Sequence, residues 1–251
     1  MKQAEIINYC NQLLDIAVHK DFCPNGLQVE GDQREVKRIA IGVSITLELI
    51  EKAIKDSADM IITHHGMIWD KDPRIISGPF RKKIKLLLDN GLAAAAYHLP
   101  LDYHLELGNN VQLARVLQLS DIKTIPENAD FAEAIIGKTV ESSIEDFSDF
   151  VSEQLIRPPI VLPFGKKRIS KVVIITGGAQ NYFMTAVENG ADCFITGEAS
   201  EKNYAMSQEY GVHFISAGHY ATEKYGILAL GEHLSEKFGI DSNFIEIDNP
   251  I

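Results

Sequence analysis

The chain has 251 residues, 45% hydrophobic and 24% charged, which excludes a disordered protein and supplies enough apolar side chains for a core without covalent staples. A formal net charge of −11 argues against broad binding to duplex phosphates, which is driven mainly by electrostatics. No apolar run approaches the ~18 residues needed to cross a bilayer, and MKQAEIINYC has no long apolar stretch behind a basic end, so neither a membrane span nor a signal peptide is expected. Cys10, Cys23 and Cys193 lack CxxC spacing, which fits a reducing cytoplasm and argues against a disulfide framework or a thiolate zinc knuckle.

In chain order, Ala4–Leu14 reads as a helix with a polar start. Ile39–Val43 is a continuous apolar run suited to a buried strand; an amphipathic helix ending at Ser57 follows, then Ala58-Asp59 and a second apolar run, Met60–Thr63. Strand, helix, strand with both strands apolar throughout is the pattern of a parallel βαβ unit covered on both faces. Pro79–Asn90 predicts a helix with proline in its first turn and Gly91 just past its end, and Leu92–Tyr97 predicts a third strand. Ser120, Asp121, Pro126, Glu127 and Asn128 then break the periodicity, which places a division near 125 between a first half, 1–125, and a second, 126–251.

The second half repeats the first. A helix is predicted over Ile144–Leu155, and residues 172–198 align without gaps on 39–65, 133 positions further on. Val172–Ile175, a helical stretch ending at Gly190, Ala191-Asp192 and Cys193–Thr196 take the places of their counterparts, and Val212–Ala217 supplies the third strand after Tyr210-Gly211. The fold class is therefore α/β, with two pseudo-symmetric halves and mostly parallel sheets.

Of the eight histidines, four follow apolar strands in three clusters: His64-His65-Gly66, His98 with Asp102, and His219 with Glu223. The last two share the form His-x3-acid at the ends of corresponding strands, where ligands of open α/β sheets bind. Imidazole suits zinc, iron, nickel or cobalt, and carboxylate adds charge compensation and can bridge two ions. Four histidines and two acids exceed what one tetrahedral ion needs, so two ions ~3.5–4 Å apart is the economical arrangement. Adjacent strand residues point to opposite faces, so His64 and His65 can share a site only where the strand ends, and Gly66 permits that turn. The other histidines read differently. His19 and His233 lie in helical patterns as solvated or packed residues, His213 is a core histidine inside a strand, and His104 is either a neighbour of Asp102's site or a loop residue.

CPNGLQVEG (23–31), ITHHGMIW (62–69), YHLPLDYHLELGNN (97–110), FITGEASE (194–201) and AGHYATEKYGI (217–227) resemble, in order, the motifs of the dinuclear-metal-centre family labelled GTP cyclohydrolase 1 type 2 homolog, or NGG-interacting-factor-three-like, in its short bacterial form. The resemblance implies two α/β halves intertwined at the C-terminal end, and a ring-shaped homohexamer with metal sites facing an internal cavity. It also implies ligand roles: His64 and His65 each to a different ion, Asp102 to one, His219 to the other, and Glu223 as the bridge. His98 matches a position near the metals that either ligates or transfers protons.

Two bridged divalent ions (Zn, Fe, Mn, Ni or Co) make hydroxide available near neutral pH, which points to hydrolysis of nucleotides or related small phosphate compounds, with His98 as proton-transfer residue. The rival class is a non-catalytic metal-binding, metal-delivery or regulatory scaffold, and a third is a ring that binds single-stranded nucleic acid, which the charge balance disfavours. Arg81-Lys82-Lys83 with Lys85, and Lys166-Lys167-Arg168 with Lys171, read as solvated faces or as groups that steer anionic substrates. Gly177-Gly178 reads as a tight turn rather than a phosphate loop, and Trp69 as packing under its loop or as a stacking platform for a base.

Overall fold

The computed structural model describes residues 1–32, 35–125 and 134–251. Its strands are β1 (Gly26–Val29), β2 (Arg38–Ser44), β3 (Met60–His65), β4 (Ala93–Ala96), β5 (Ser120–Ile125), β6 (Ala134–Ser142), β7 (Ile160–Leu162), β8 (Ile169–Ile174), β9 (Cys193–Thr196), β10 (His213–Ser216) and β11 (Asp241–Phe244). The chain forms two compact units, Met1–Leu107 with Ile227–Asp248, and Gly108–Gly226 with Asn249–Ile251.

The first unit is built on a sheet of order β1-β4-β3-β2-β11. All its neighbours are parallel except β1, which runs antiparallel to β4. One face is covered by Ile6, Ile7 and Cys10 of the helix Gln3–Leu13 together with Ile227, Leu230 and Leu234 of the helix Lys224–Phe238. The other face takes Leu49, Ile50 and Ala53 of the helix Leu47–Lys55 and Leu87 of the helix Gly78–Asp89. Strands covered on both faces have no solvent side, which is why Ile39–Val43 and Met60–Thr63 read as unbroken apolar runs.

The second unit has the order β5-β6-β8-β9-β10-β7. Its centre, β8-β9-β10, is parallel, while β6 pairs antiparallel with β8, β5 with β6, and β7 with β10. The sheet is thus mixed, with the repeated βαβ register at its centre. The expected division near 125 does not match the observed units: Ser120-Asp121 opens β5, and Val111, Leu113 and Ala114 of the helix Asn109–Val116 join the second core. Pro126, Glu127 and Asn128 lie outside the described residues.

The repeat holds at the level of hydrogen bonds. Asp59 accepts from the amides of Lys37 and Arg38, and Asp192, 133 positions on, accepts from those of Ser170 and Lys171. Asp59 N donates to Arg38 O as Asp192 N does to Lys171 O, and Ala58 N donates to Ala53 O as Ala191 N does to Ala186 O. The Ala-Asp pair is therefore a clamp that joins the end of a helix to the start of the strand before it. Just before the clamp the backbone is left-handed, at Ser57 (φ +56°) in one copy and Gly190 (φ +62°) in the other. A Cβ is disfavoured there. Ser57→Gly is accordingly expected to stabilise the protein by about 0.5–1 kcal/mol, measured from the urea midpoint at unchanged slope.

Candidate metal centre

In the first unit, β3 carries His64 and His65 at its last two positions. Its ladder with β4 stops at Thr63↔Ala96, whereas that with β2 continues to Ser44↔His65. Strand geometry ends here, so the two rings come together, their centroids 4.5 Å apart, instead of pointing to opposite faces. The next strand, β4, leads to His98, which precedes the short helix Leu99–Tyr103 bearing Asp102. His64, His65 and His98 each offer a ring nitrogen, and these atoms lie within 4.8 Å of one another. Asp102 Oδ1 is 3.7 Å from His64 Nε2. His64, His98 and Asp102 are all buried.

Each imidazole is anchored through Nδ1. His64 Nδ1 donates to Tyr97 O at 3.0 Å, His65 Nδ1 meets Ser44 Oγ at 2.9 Å, and His98 Nδ1 meets Asp21 Oδ1 at 2.9 Å. The carbonyl and the carboxylate can only accept, which fixes both orientation and tautomer of His64 and His98, while the Ser44 hydroxyl fixes the orientation of His65; in each case Nε2 is the nitrogen suited to a cation. His213 is the contrast. Both its ring nitrogens engage backbone, accepting from Gly165 N and donating to Lys166 O, and it is a core residue as expected.

Asp21 and Asn25 are site residues that the sequence reading did not single out. Asn25 Oδ1 accepts from the His98 amide at 2.7 Å, its Nδ2 donates to Asp21, and Asp21 also accepts from Leu99 N. The Pro24-Asn25-Gly26 turn therefore holds the segment that presents His98. Burial opposes ionisation of Asp21, but His98, Asn25 and the Leu99 amide outweigh it and bring its pKa down to about 2. Cys23 sits in the same corner. Burial, reinforced by Asp21, pushes its thiol pKa well up, so it remains protonated and poorly suited to a metal.

In the second unit, His219 opens the turn of helix His219–Thr222, with Glu223 directly after it. Here the His-x3-acid motifs are out of step: His98 and Gly218 stand at equivalent distances from β4 and β10, so His219 comes one residue later than its counterpart. His219 Nε2 is 3.0 Å from Glu223 Oε2, and His219 Nδ1 is 2.7 Å from Glu198 Oε1. Burial opposes the charged ring, yet the two carboxylates prevail and raise its pKa to about 9. A half-buried imidazole between two acids is a donor set with surplus negative charge, and that suits a cation.

Glu198 was legible in the repeat as the counterpart of His65, since THH in one copy aligns with TGE in the other. Gly177 is part of the same corner. It has φ +66°, and a Cβ there would overlap Glu223 Oε1. Its amide donates to Thr222 Oγ1, and Asn110 Oδ1 accepts from the preceding Thr176 amide. Gly177-Gly178 is thus a tight turn, one whose lack of a side chain makes room for the carboxylate.

The remaining expectations divide. His104 Nδ1 accepts from the amides of Glu106 and Leu107, a loop role, and burial lowers its pKa. His233 lies in a helix and bonds Tyr9, whereas His19 falls beyond the end of its predicted helix, in a bend, and packs on Tyr103. In the second basic run Lys166 pairs with Asp192, Arg168 with Glu141, and Lys171 donates to Asn189 O, so this run staples the fold. Trp69 packs edge-on against His98, ring centroids 5.1 Å apart, and is stacked with Phe22.

Residues 1–250 match the model of the family described as Duf34/NIF3 (NGG1p interacting factor 3). Among curated proteins, the chain is 42% identical to the GTP cyclohydrolase 1 type 2 homolog of Haemophilus influenzae and 41% to that of Vibrio cholerae, each over the whole of both chains. Among solved structures it is similar to protein ybgI, described as of unknown function (TM-score 0.93, 38% identity), and to the protein TTHA1606 from Thermus thermophilus (TM-score 0.91, 30% identity), again covering both chains completely. No helix among the described residues is long and apolar enough to cross a membrane.

Proposed function

The chain belongs to the DUF34/NIF3 family, and on that premise we propose that it is a metal-dependent hydrolase of nucleotides or related phosphate compounds, working in the cytoplasm as a ring-shaped homohexamer. His64, His65, Asp102, His219 and Glu223 would hold the two divalent ions per chain (Zn, Fe, Mn, Ni or Co). The observation that carries this reading is the anchoring of His64, His65 and His219 through Nδ1 to Tyr97 O, Ser44 Oγ and Glu198, which leaves Nε2 as the nitrogen each offers to a metal. When bound, such a pair of ions supplies Lewis acidity and lowers the pKa of water.

The protein's own groups do the rest. Asp102 and Glu223, both buried, would balance the charge of the ions. Asp21 holds the His98 ring through Nδ1, so that Nε2 takes up or delivers the proton during hydrolysis. Reconstitution with Mn, Zn or Fe followed by elemental analysis is expected to give two ions per chain, and a screen of nucleotides and phosphoesters to give turnover that Glu223→Ala abolishes. Two ions without turnover would favour the scaffold role, and turnover that survives Glu223→Ala would overturn the mechanism.

A further inference from the structure

The repeat extends to the segments that precede β1 and β7. β1 runs antiparallel to β4 and β7 antiparallel to β10, and each follows a helix, Gln3–Leu13 in one unit and Ile144–Leu155 in the other. In the first unit this segment brings Asp21 to the ring of His98. In the second, where Gly218 stands in the place of His98, it brings Arg157. A Cβ on Gly218, which has φ +96°, would lie 2.8 Å from Arg157 Nε, 2.8 Å from Nη1 and 2.9 Å from Cζ, so glycine leaves room for the guanidinium directly before His219. Near-equal distances to those three atoms mean that the face of the group rests on the glycine, while its N–H donors, which lie in the plane, point past it.

The backbone holds Arg157 from both sides. Ile156 ends its helix in the left-handed region (φ +55°), where glycine is usual and a β-branched residue is strained, and Arg157 N donates to Ser152 O at 3.0 Å. Pro158 follows and confines the Arg157 backbone to extended conformations. Of the described arginines, Arg38, Arg74, Arg81, Arg115 and Arg168 are exposed, and Arg157 alone is half-buried. Its guanidinium makes no ion pair or hydrogen bond among the described residues, whereas Lys166 and Arg168 of the same unit are both paired. The acids of this corner are engaged elsewhere: Glu198 with His219 Nδ1 and Gln180 Nε2, and Glu223 with His219 Nε2. A strained turn that holds a half-buried cation without an acid is a cost that a bound anion repays.

We propose that Arg157 is an oxyanion-binding residue beside His219, and that it takes the phosphoryl group of the substrate. The planar fork of a guanidinium donates two parallel hydrogen bonds to a phosphate. The equivalent place in the first unit holds the Asp21–His98 pair, to which the hydrolase reading gives proton transfer, and in the second it holds a fixed positive charge. The two copies of one architecture thus take complementary tasks. That the oxyanion belongs to a substrate rests on the hydrolase reading, but the oxyanion site itself does not.

The test is calorimetric titration of inorganic phosphate, and separately of acetate, into manganese-loaded parent, Arg157→Ala and Arg157→Lys proteins, with elemental analysis and circular dichroism on each. The parent is expected to bind phosphate saturably and more tightly than acetate. Phosphate affinity should fall at least about tenfold in Arg157→Ala at unchanged ion content, and by less in Arg157→Lys, which keeps the charge and gives up the fork. Low-millimolar guanidinium, but not urea, should restore part of the affinity of Arg157→Ala, because it returns a cation to the place above Gly218. Phosphate bound as tightly by Arg157→Ala as by the parent would overturn the proposal, as would equal losses in both variants without rescue. A loss of affinity accompanied by a loss of ions would also overturn it, since Arg157 would then support the metal centre. Acetate bound as tightly as phosphate would overturn the phosphoryl assignment. If phosphate follows the expected pattern while the parent turns over no nucleotide or phosphoester, the site stands and the hydrolase reading falls.

Discussion

A His64→Ala protein is expected to hold at most one divalent ion per chain where the parent holds two, and to turn over substrate at least about a hundredfold more slowly. His64 is fully buried and its ring is fixed by Tyr97 O, so its loss removes a ligand held ready in place. Removing the fixing group alone should have a smaller effect of the same kind. Ser44→Ala, which deletes the partner of His65 Nδ1, is expected to weaken metal affinity by about 10–100-fold without unfolding the protein. Elemental analysis after dialysis, with circular dichroism to establish that the fold is intact, reads both variants. Retention of two ions and full turnover in His64→Ala would remove the residue from the centre.

The second large effect is on stability. Asp192→Ala is expected to cost about 2–4 kcal/mol, because the buried carboxylate accepts from two backbone amides and from Lys166, and its loss leaves those amides without an acceptor inside the sheet. Asp59→Ala, at the half-buried clamp of the other copy, should cost about half as much. The pH dependence has a definite sign. Burial opposes the charge on Asp192, but Lys166 and the amides of Ser170 and Lys171 prevail and hold its pKa below the ordinary carboxylate value. The clamp therefore contributes fully above the unfolded-state pKa near ~4, and the contribution is lost as pH falls from there through the lower folded value. Urea midpoints measured between neutral pH and pH 3 should fall less steeply for Asp192→Asn than for the parent.

What the sequence disclosed, and what it withheld, follows from the physics of each element. Strands covered on both faces leave continuous apolar runs, so β2, β3, β8 and β9 were legible, and the helix Ile144–Leu155 was placed to the residue because Ser143 caps it and its apolar face is periodic. The antiparallel edges were not read, since β5 is largely exposed and β7 has three residues. His64, His65, His98, Asp102, His219 and Glu223 were singled out because strand ends are where such chemistry collects. Asp21 lies on no strand end, and its contact with His98 spans 77 positions, a separation that periodicity cannot bridge.

One consequence of the chain's path concerns synthesis. The first sheet is completed only by β11, and its core only by Ile227, Leu230 and Leu234, whereas nearly all of the second unit is one uninterrupted stretch, 108–226. As the polypeptide leaves the ribosome, the second unit can close while the first still presents β2 as an uncovered edge and lacks part of its interior. The N-terminal half thus matures last, after the final strand has been made, and translation products truncated just short of Asp241 should aggregate through that edge.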